Sequence, residues 1–221
     1  MEKENSVLSE LKRYLKKFWF VVWKDDSFKG WIFSILFIFI VIKLIFFPVL
    51  GLVTGTSLPL AIVESCSMYH DGNILGSYDK WWDRHESTYT DQDITNENFK
   101  EFIFKKGFNK GDILFIVGVK SENIKIGDVI IFKSQGKDII HRVVDIKTDS
   151  TGSKIFSTMG DNVGQIQYFE GEIKENQIVG KAVFKLIPYI GWGKLVLVDL
   201  IDIFTPGEGP KYIKTGFCEE N

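Results

Sequence analysis

From Trp31 to Val53 the chain reads WIFSILFIFIVIKLIFFPVLGLV, an apolar run with one charge, Lys43. As helix, about 23 residues extend about 34 Å, enough to cross a ~30 Å hydrocarbon core. A core helix of a globular domain keeps a polar stripe, and this run has none, so the pattern predicts a transmembrane anchor over residues 31–53. Pro48 is expected to kink or end that helix, because it lacks an N–H and crowds the carbonyl four residues back. A helix ending at Phe47 would have about 17 residues, the short limit for a span, and Lys43 would snorkel toward the far interface.

The flank before the anchor, residues 1–30, carries Lys12, Arg13, Lys16, Lys17, Lys24 and Lys29 among its cations. The positive-inside rule then predicts a single-pass protein of the cell membrane, or of the endoplasmic-reticulum membrane in a eukaryote. Its N-terminus would be cytoplasmic, and everything after Val53 would lie outside or in a lumen. Val7, Leu8, Leu11, Leu15, Phe18 and Val22 recur at helical spacing between those lysines. That spacing predicts an amphipathic helix on the cytoplasmic leaflet, with packing on a partner subunit as the alternative. A cleaved signal peptide is disfavoured, because the apolar run is too long and begins thirty residues in.

The rest of the chain has a different composition. Over all 221 residues the charged fraction is 25%, the hydrophobic fraction 45% and the formal net charge −2. These are globular values with no basic surplus, so nucleic acid is not an expected partner. Cys66 and Cys218 are too few for a disulfide scaffold and lack metal-ligand spacing; they could pair, but nothing in the sequence requires it. Neither ligand spacing nor a phosphate-binding glycine loop is present, so no metal and no organic cofactor is expected.

Short Val- and Ile-rich runs between turn residues predict strands at Leu60–Glu64, Asp112–Val117, Asp128–Phe132, Ile139–Ile146, Lys154–Thr158 and Ile178–Ile187. The expected fold class is mainly β, a domain of mostly antiparallel strands over residues 54–193. Residues 69–110 are polar with scattered aromatics and read as an insertion of loop and short helix, the helix running to about Phe102 with Thr95 as its cap. Residues 194–221 hold a short apolar piece, Lys194–Phe204, too short to span a bilayer, then a Pro- and Gly-broken tail.

Three short segments carry reactive groups. Ser67, at a strand end after Val63-Glu64-Ser65-Cys66, could act as a hydroxyl nucleophile, with its own N–H and the Ser65 hydroxyl as oxyanion donors. His141 stands in the apolar strand Ile139-Ile140-His141-Arg142-Val143-Val144. Asp161 follows a strand within Gly160-Asp161-Asn162. Separately these read as a turn serine, a structural histidine and an Asx turn. Together they offer the serine, imidazole and carboxylate of acyl-transfer hydrolysis.

An ordered set of motifs carries a resemblance. Ser65-x-Ser67-Met68, Gly111-Asp112-Ile113-Leu114, Lys125-Ile126-Gly127-Asp128-Val129-Ile130, Ile140-His141-Arg142-Val143, Gly160-Asp161-Asn162 and Val179-Gly180-Lys181-Ala182 occur in that order. The chain from about Thr54 to Trp192 resembles signal peptidase I of the archaeal and endoplasmic-reticulum type. The resemblance implies a signal-peptidase-like β domain and a serine endopeptidase that removes signal peptides from exported preproteins. Its partners would be those preproteins, the lipid bilayer and the protein-export channel. Ser67 would be the nucleophile, His141 the base and Asp161 the acid.

The departures from the family pattern are specific. Met68 is followed by Tyr69 and His70 where the family has Ser-Met-x-Pro, and Cys66 replaces a common glycine. Six positions beyond Asp161, where relatives carry an acidic residue of the triad, this chain has Gln167, so Glu170 is the second choice of acid. The insertion also holds His70 and His85. The competing reading from another class is a catalytically degenerate, membrane-tethered β domain that binds or scaffolds. A processor of a different membrane precursor is a further rival.

Overall fold

The computed structural model describes residues 2–70, 78–187 and 218, and the chain divides into two compact units at Val53/Thr54. The expected apolar piece Lys194–Phe204 and the tail lie outside the described residues, Cys218 excepted.

The first unit is helical. α1 (Glu2–Trp23) and α2 (Phe28–Val41) form a hairpin: Phe18 meets Phe33 and Phe37 edge-on, and the Ser34 hydroxyl donates to Val22 O at 2.7 Å. Ser27 caps α2, its hydroxyl accepting from the Gly30 N–H at 3.1 Å. α1 thus packs its last turns on the next helix, while Leu11, Leu15, Trp19 and Trp23 remain exposed.

The helix does not end at Pro48. A π-helical turn, Ile42–Phe46, precedes the proline, and α3 (Phe47–Thr54) continues beyond it. The wider turn takes up the missing N–H and the ring's bulk that an unbroken α-ladder could not accommodate. By length and composition, Phe28–Thr54 is the one helix among the described residues able to cross a membrane, with 27 residues.

The second unit is built on one seven-stranded sheet, with every neighbouring pair antiparallel and the order β1-β2-β7-β3-β4-β5-β6. The strands are β1 (Leu60–Ile62), β2 (Ile113–Val117), β3 (Val129–Ser134), β4 (Lys137–Thr148), β5 (Lys154–Met159), β6 (Ile173–Lys174) and β7 (Ile178–Ile187). This is the mainly-β class of antiparallel strands that the sequence leads one to expect. β6 was not anticipated, since two residues are too few for an alternating pattern to show.

Gln135 and Gly136, both at positive φ, close the two-residue turn of the β3–β4 hairpin, which fixes the register at Ile130↔His141. Because side chains alternate along a strand, His141 shares a face with Ile130 and Val143, and Arg142 shares the other with Val129 and Val144. Ile130, Phe132, Val143 and Phe156 form the core on the His141 face.

The opposite face is covered partly by the insertion, which is more ordered than loop and short helix. It contains α4 (Tyr78–Thr90) and α5 (Asn96–Glu101), the latter capped by Thr95 as expected, in a capping box with Asn98. Trp81, Trp82, Tyr89 and Phe99 are buried together against Val144 and Met159. α4 was missed because its mean composition is polar. The spacing of Trp81, Trp82, His85 and Tyr89 still marks one helical face.

Candidate active site

Ser67 lies five residues beyond the end of β1, and β4 brings His141 to it across 74 positions of sequence. The Ser67 Oγ stands 2.8 Å from His141 Nε2. On the far side of the ring, Nδ1 meets the Glu170 carboxylate. An ionised carboxylate only accepts, so Nδ1 carries the proton and Nε2 keeps a lone pair for the Ser67 hydroxyl. Glu170 is fully buried and also accepts from the Thr158 hydroxyl at 3.2 Å and from the Gln167 N–H at 3.0 Å. The Ser65 hydroxyl is 3.0 Å from Ser67 Oγ, on the exposed side of the site.

Asp161 is elsewhere. Both of its oxygens are saturated: Oδ1 accepts from Tyr89 OH at 2.7 Å and Arg142 Nε at 2.9 Å. Oδ2 accepts from His70 Nε2 at 2.8 Å and Arg142 Nη2 at 2.7 Å. Four donors fill the four acceptor directions of a carboxylate, so nothing remains for His141. The carboxylate that meets the His141 ring is therefore that of Glu170, the second choice, and strand alternation gives the reason. Asp161 serves the face of Arg142, whereas Thr158 and Glu170 serve the face of His141.

The rest of the Arg142 guanidinium donates to the carbonyls of Ile103, Gly127 and Phe104 and lies over the Phe99 ring. A fully buried arginine requires a buried anion, and removing one partner of such a pair costs about 3–5 kcal/mol. Burial alone would raise the Asp161 carboxyl, but the Arg142 charge and the bonds from His70 and Arg142 hold it well below the carboxylate range. Burial pushes the His70 imidazole down, against the pull of Asp161, and pushes the Tyr89 hydroxyl up. His70 and Tyr89 are then neutral donors to an ionised acid. An arginine in an apolar strand was the sequence signal that Asp161 had another claimant.

Gly160-Asp161-Asn162 holds the serine loop by three means. A Cβ on Gly160 would sit 2.8 Å from Ser67 O and 2.9 Å from His141 Nε2, so only glycine fits between the serine and the imidazole. The Asn162 N–H donates to Ser67 O at 2.8 Å, and its side-chain amide donates to Cys66 O at 3.1 Å. Cys66 is itself disulfide-bonded to Cys218, so the pairing the sequence left open is made. Among the described residues, no group of three His, Cys, Asp or Glu side chains could hold a metal ion.

A serine hydroxyl on an imidazole backed by a buried carboxylate is the geometry of the Ser-His-acid hydrolases. Sequence comparison narrows the class. The chain is 31% identical to the signal peptidase complex catalytic subunit SEC11C of Homo sapiens over 100 residues, 42% of this chain and 51% of that protein. The Mus musculus protein of the same name gives the same values. The signal peptidase complex catalytic subunit SEC11 of Ogataea parapolymorpha is 33% identical over 113 residues, 42% of this chain and 61% of that one. Over that region the chain is similar to these signal peptidase complex catalytic subunits. It spans about half the length of the curated mammalian SEC11C relatives it matches. No protein-family model matches it.

Proposed function

We propose that this protein is a membrane-anchored serine endopeptidase that cleaves signal peptides from preproteins, with Ser67 as nucleophile, His141 as base and Glu170 as the orienting acid. Ser67 Oγ attacks the scissile carbonyl carbon as its proton passes to His141 Nε2. Glu170 holds the Nδ1–H and stabilises the imidazolium that forms. The Ser67 N–H and the Ser65 hydroxyl stabilise the oxyanion, each worth about 3 kcal/mol. His141 then protonates the departing amine, and water releases the acyl group by the same steps in reverse. The substrate lies extended as an added strand, so alternate side chains enter shallow pockets that favour small residues.

The observation that carries this reading is the 2.8 Å contact of Ser67 Oγ with His141 Nε2, with Glu170 on the opposite ring nitrogen. A degenerate scaffold has less support than the Gln167 departure suggested, because the imidazole does have a carboxylate. The apolar helix acts as an anchor that keeps enzyme and substrate in one membrane and raises their effective concentration. The lysines of residues 1–30 favour a cytoplasmic N-terminus, and the Cys66–Cys218 disulfide favours an oxidising, lumenal or external setting for the β domain. The protein-export channel is then the natural neighbour of its substrates.

The test is cleavage of a signal-peptide-bearing precursor by the full chain in detergent. Ser67→Ala or His141→Ala should lower turnover by about 10⁴–10⁶-fold. Near-parental cleavage by either variant would overturn the assignment.

A further inference from the structure

We propose that His70 is a positioning residue: through Asp161 it sets the geometry of the Ser67 loop and makes turnover depend on the insertion. The inference rests on the serine-peptidase reading and adds to it a second imidazole–carboxylate pair.

His70 follows Ser67 by three residues and is 2% exposed. Its ring stacks on Trp81 of α4, with centroids 3.6 Å apart and planes 8° from parallel. Gly107, at φ +64°, lies so close that a Cβ there would be 2.4 Å from His70 Cδ2. The ring therefore has one position, with Nε2 aimed at Asp161 Oδ2. Tyr89, also on α4, reaches the other oxygen of the same carboxylate.

Asp161 in turn is flanked by two residues that touch the serine loop. Gly160 sits against Ser67 O and His141 Nε2, and Asn162 donates to Ser67 O and Cys66 O. A shift of the Asp161 side chain therefore moves the backbone that places the nucleophile. Misplacing reacting atoms by about 1 Å can cost about 10²-fold in rate. His70 and Tyr89 hold that side chain from the insertion, and Arg142 holds it from the sheet. His70 touches no reacting atom, so its effect belongs in kcat rather than KM.

The experiment compares His70→Phe, His70→Gln and Tyr89→Phe in the full chain, with active sites counted by a fluorophosphonate serine probe. Phe keeps the stack on Trp81 but removes the donor, and Gln restores an N–H at similar reach. His70→Phe should lower kcat per titrated site by about 10–50-fold with KM within about threefold, and His70→Gln should recover most of it. Tyr89→Phe, the gentler change, should lower kcat by about 3–10-fold. The proposal is overturned if His70→Phe and Tyr89→Phe reduce only the number of titratable sites and leave kcat per site within about twofold of the parent. Equal kcat losses in His70→Phe and His70→Gln would overturn it as well. Failure of the underlying peptidase reading looks different: turnover would survive in Ser67→Ala.

Discussion

The Gln167 N–H donates to Glu170 Oε2 at 3.0 Å, so Gln167 steadies the carboxylate that meets the His141 ring. The Glu170 N–H returns a bond to Gln167 O at 2.9 Å, closing a turn that carries the carboxylate three residues further along the chain. Glutamate's extra methylene spans the remaining distance to His141.

Glu170→Gln should lower kcat by about 10³–10⁴-fold, because an amide cannot stabilise the imidazolium and favours the wrong tautomer. Gln167→Asp should change kcat by less than about threefold, since residue 167 contributes only its backbone to Glu170. Kinetics of both variants on one precursor check this. A large gain in Gln167→Asp would mean the acid is still missing.

Gly160→Ala should cripple the site without changing any reacting group. The new methyl would lie 2.8 Å from Ser67 O and 2.9 Å from His141 Nε2, and one of the two must yield. Overpacking of this kind costs about 1–3 kcal/mol of stability, and the displaced pair should lose about 10²-fold in kcat. Melting curves alongside turnover would separate the two effects. Parental kcat in a stable variant would contradict the packing.

Stability should fall as the solution is made acidic. The folded-state pKa of His70 lies below its usual value because burial, with help from Arg142 and His85, outweighs the Asp161 carboxylate. The unfolded chain therefore binds that proton more readily. The stabilisation is full above pH about 6.5 and is lost below it, by up to about 1.4 kcal/mol per pH unit. Asp161, with a depressed pKa, adds stability present above pH about 3.8 and lost as pH falls further. Thermal unfolding of the full chain in detergent between pH 7.5 and 5 should show a drop in Tm that His70→Gln flattens. An equal slope in parent and variant would remove His70 as the source.

Much of this architecture is legible in the sequence. Val- and Ile-rich runs marked six of the seven strands, because a sheet with a buried face imposes alternation on its sequence. Ser67 and His141 stand out in the sequence because a strand and its end gain nothing from such reactive groups, and the structure brings the two side chains together. The carboxylate that meets the imidazole does not stand out. Choosing between Asp161 and Glu170 required knowing which sheet face each residue reaches, and spacing along a chain does not report that across a turn. α4 was hidden for another reason: its buried side are Trp, His and Tyr, whose polar atoms lower any average, although their helical interval was there to count. The tolerance of Pro48 depended on a widened turn that no single residue announces.

The Cys66–Cys218 bond closes a ring whose ends are 152 residues apart, and one end adjoins Ser67. In the chain-entropy account such a ring stabilises a fold by about 3–5 kcal/mol. It also reverses the usual advice about shortening a protein. A carboxyl terminus is ordinarily the safest place to trim. Here, cutting anywhere before residue 218 would free the residue next to the serine, so a truncation designed to leave the fold alone would reach the Ser67 loop first.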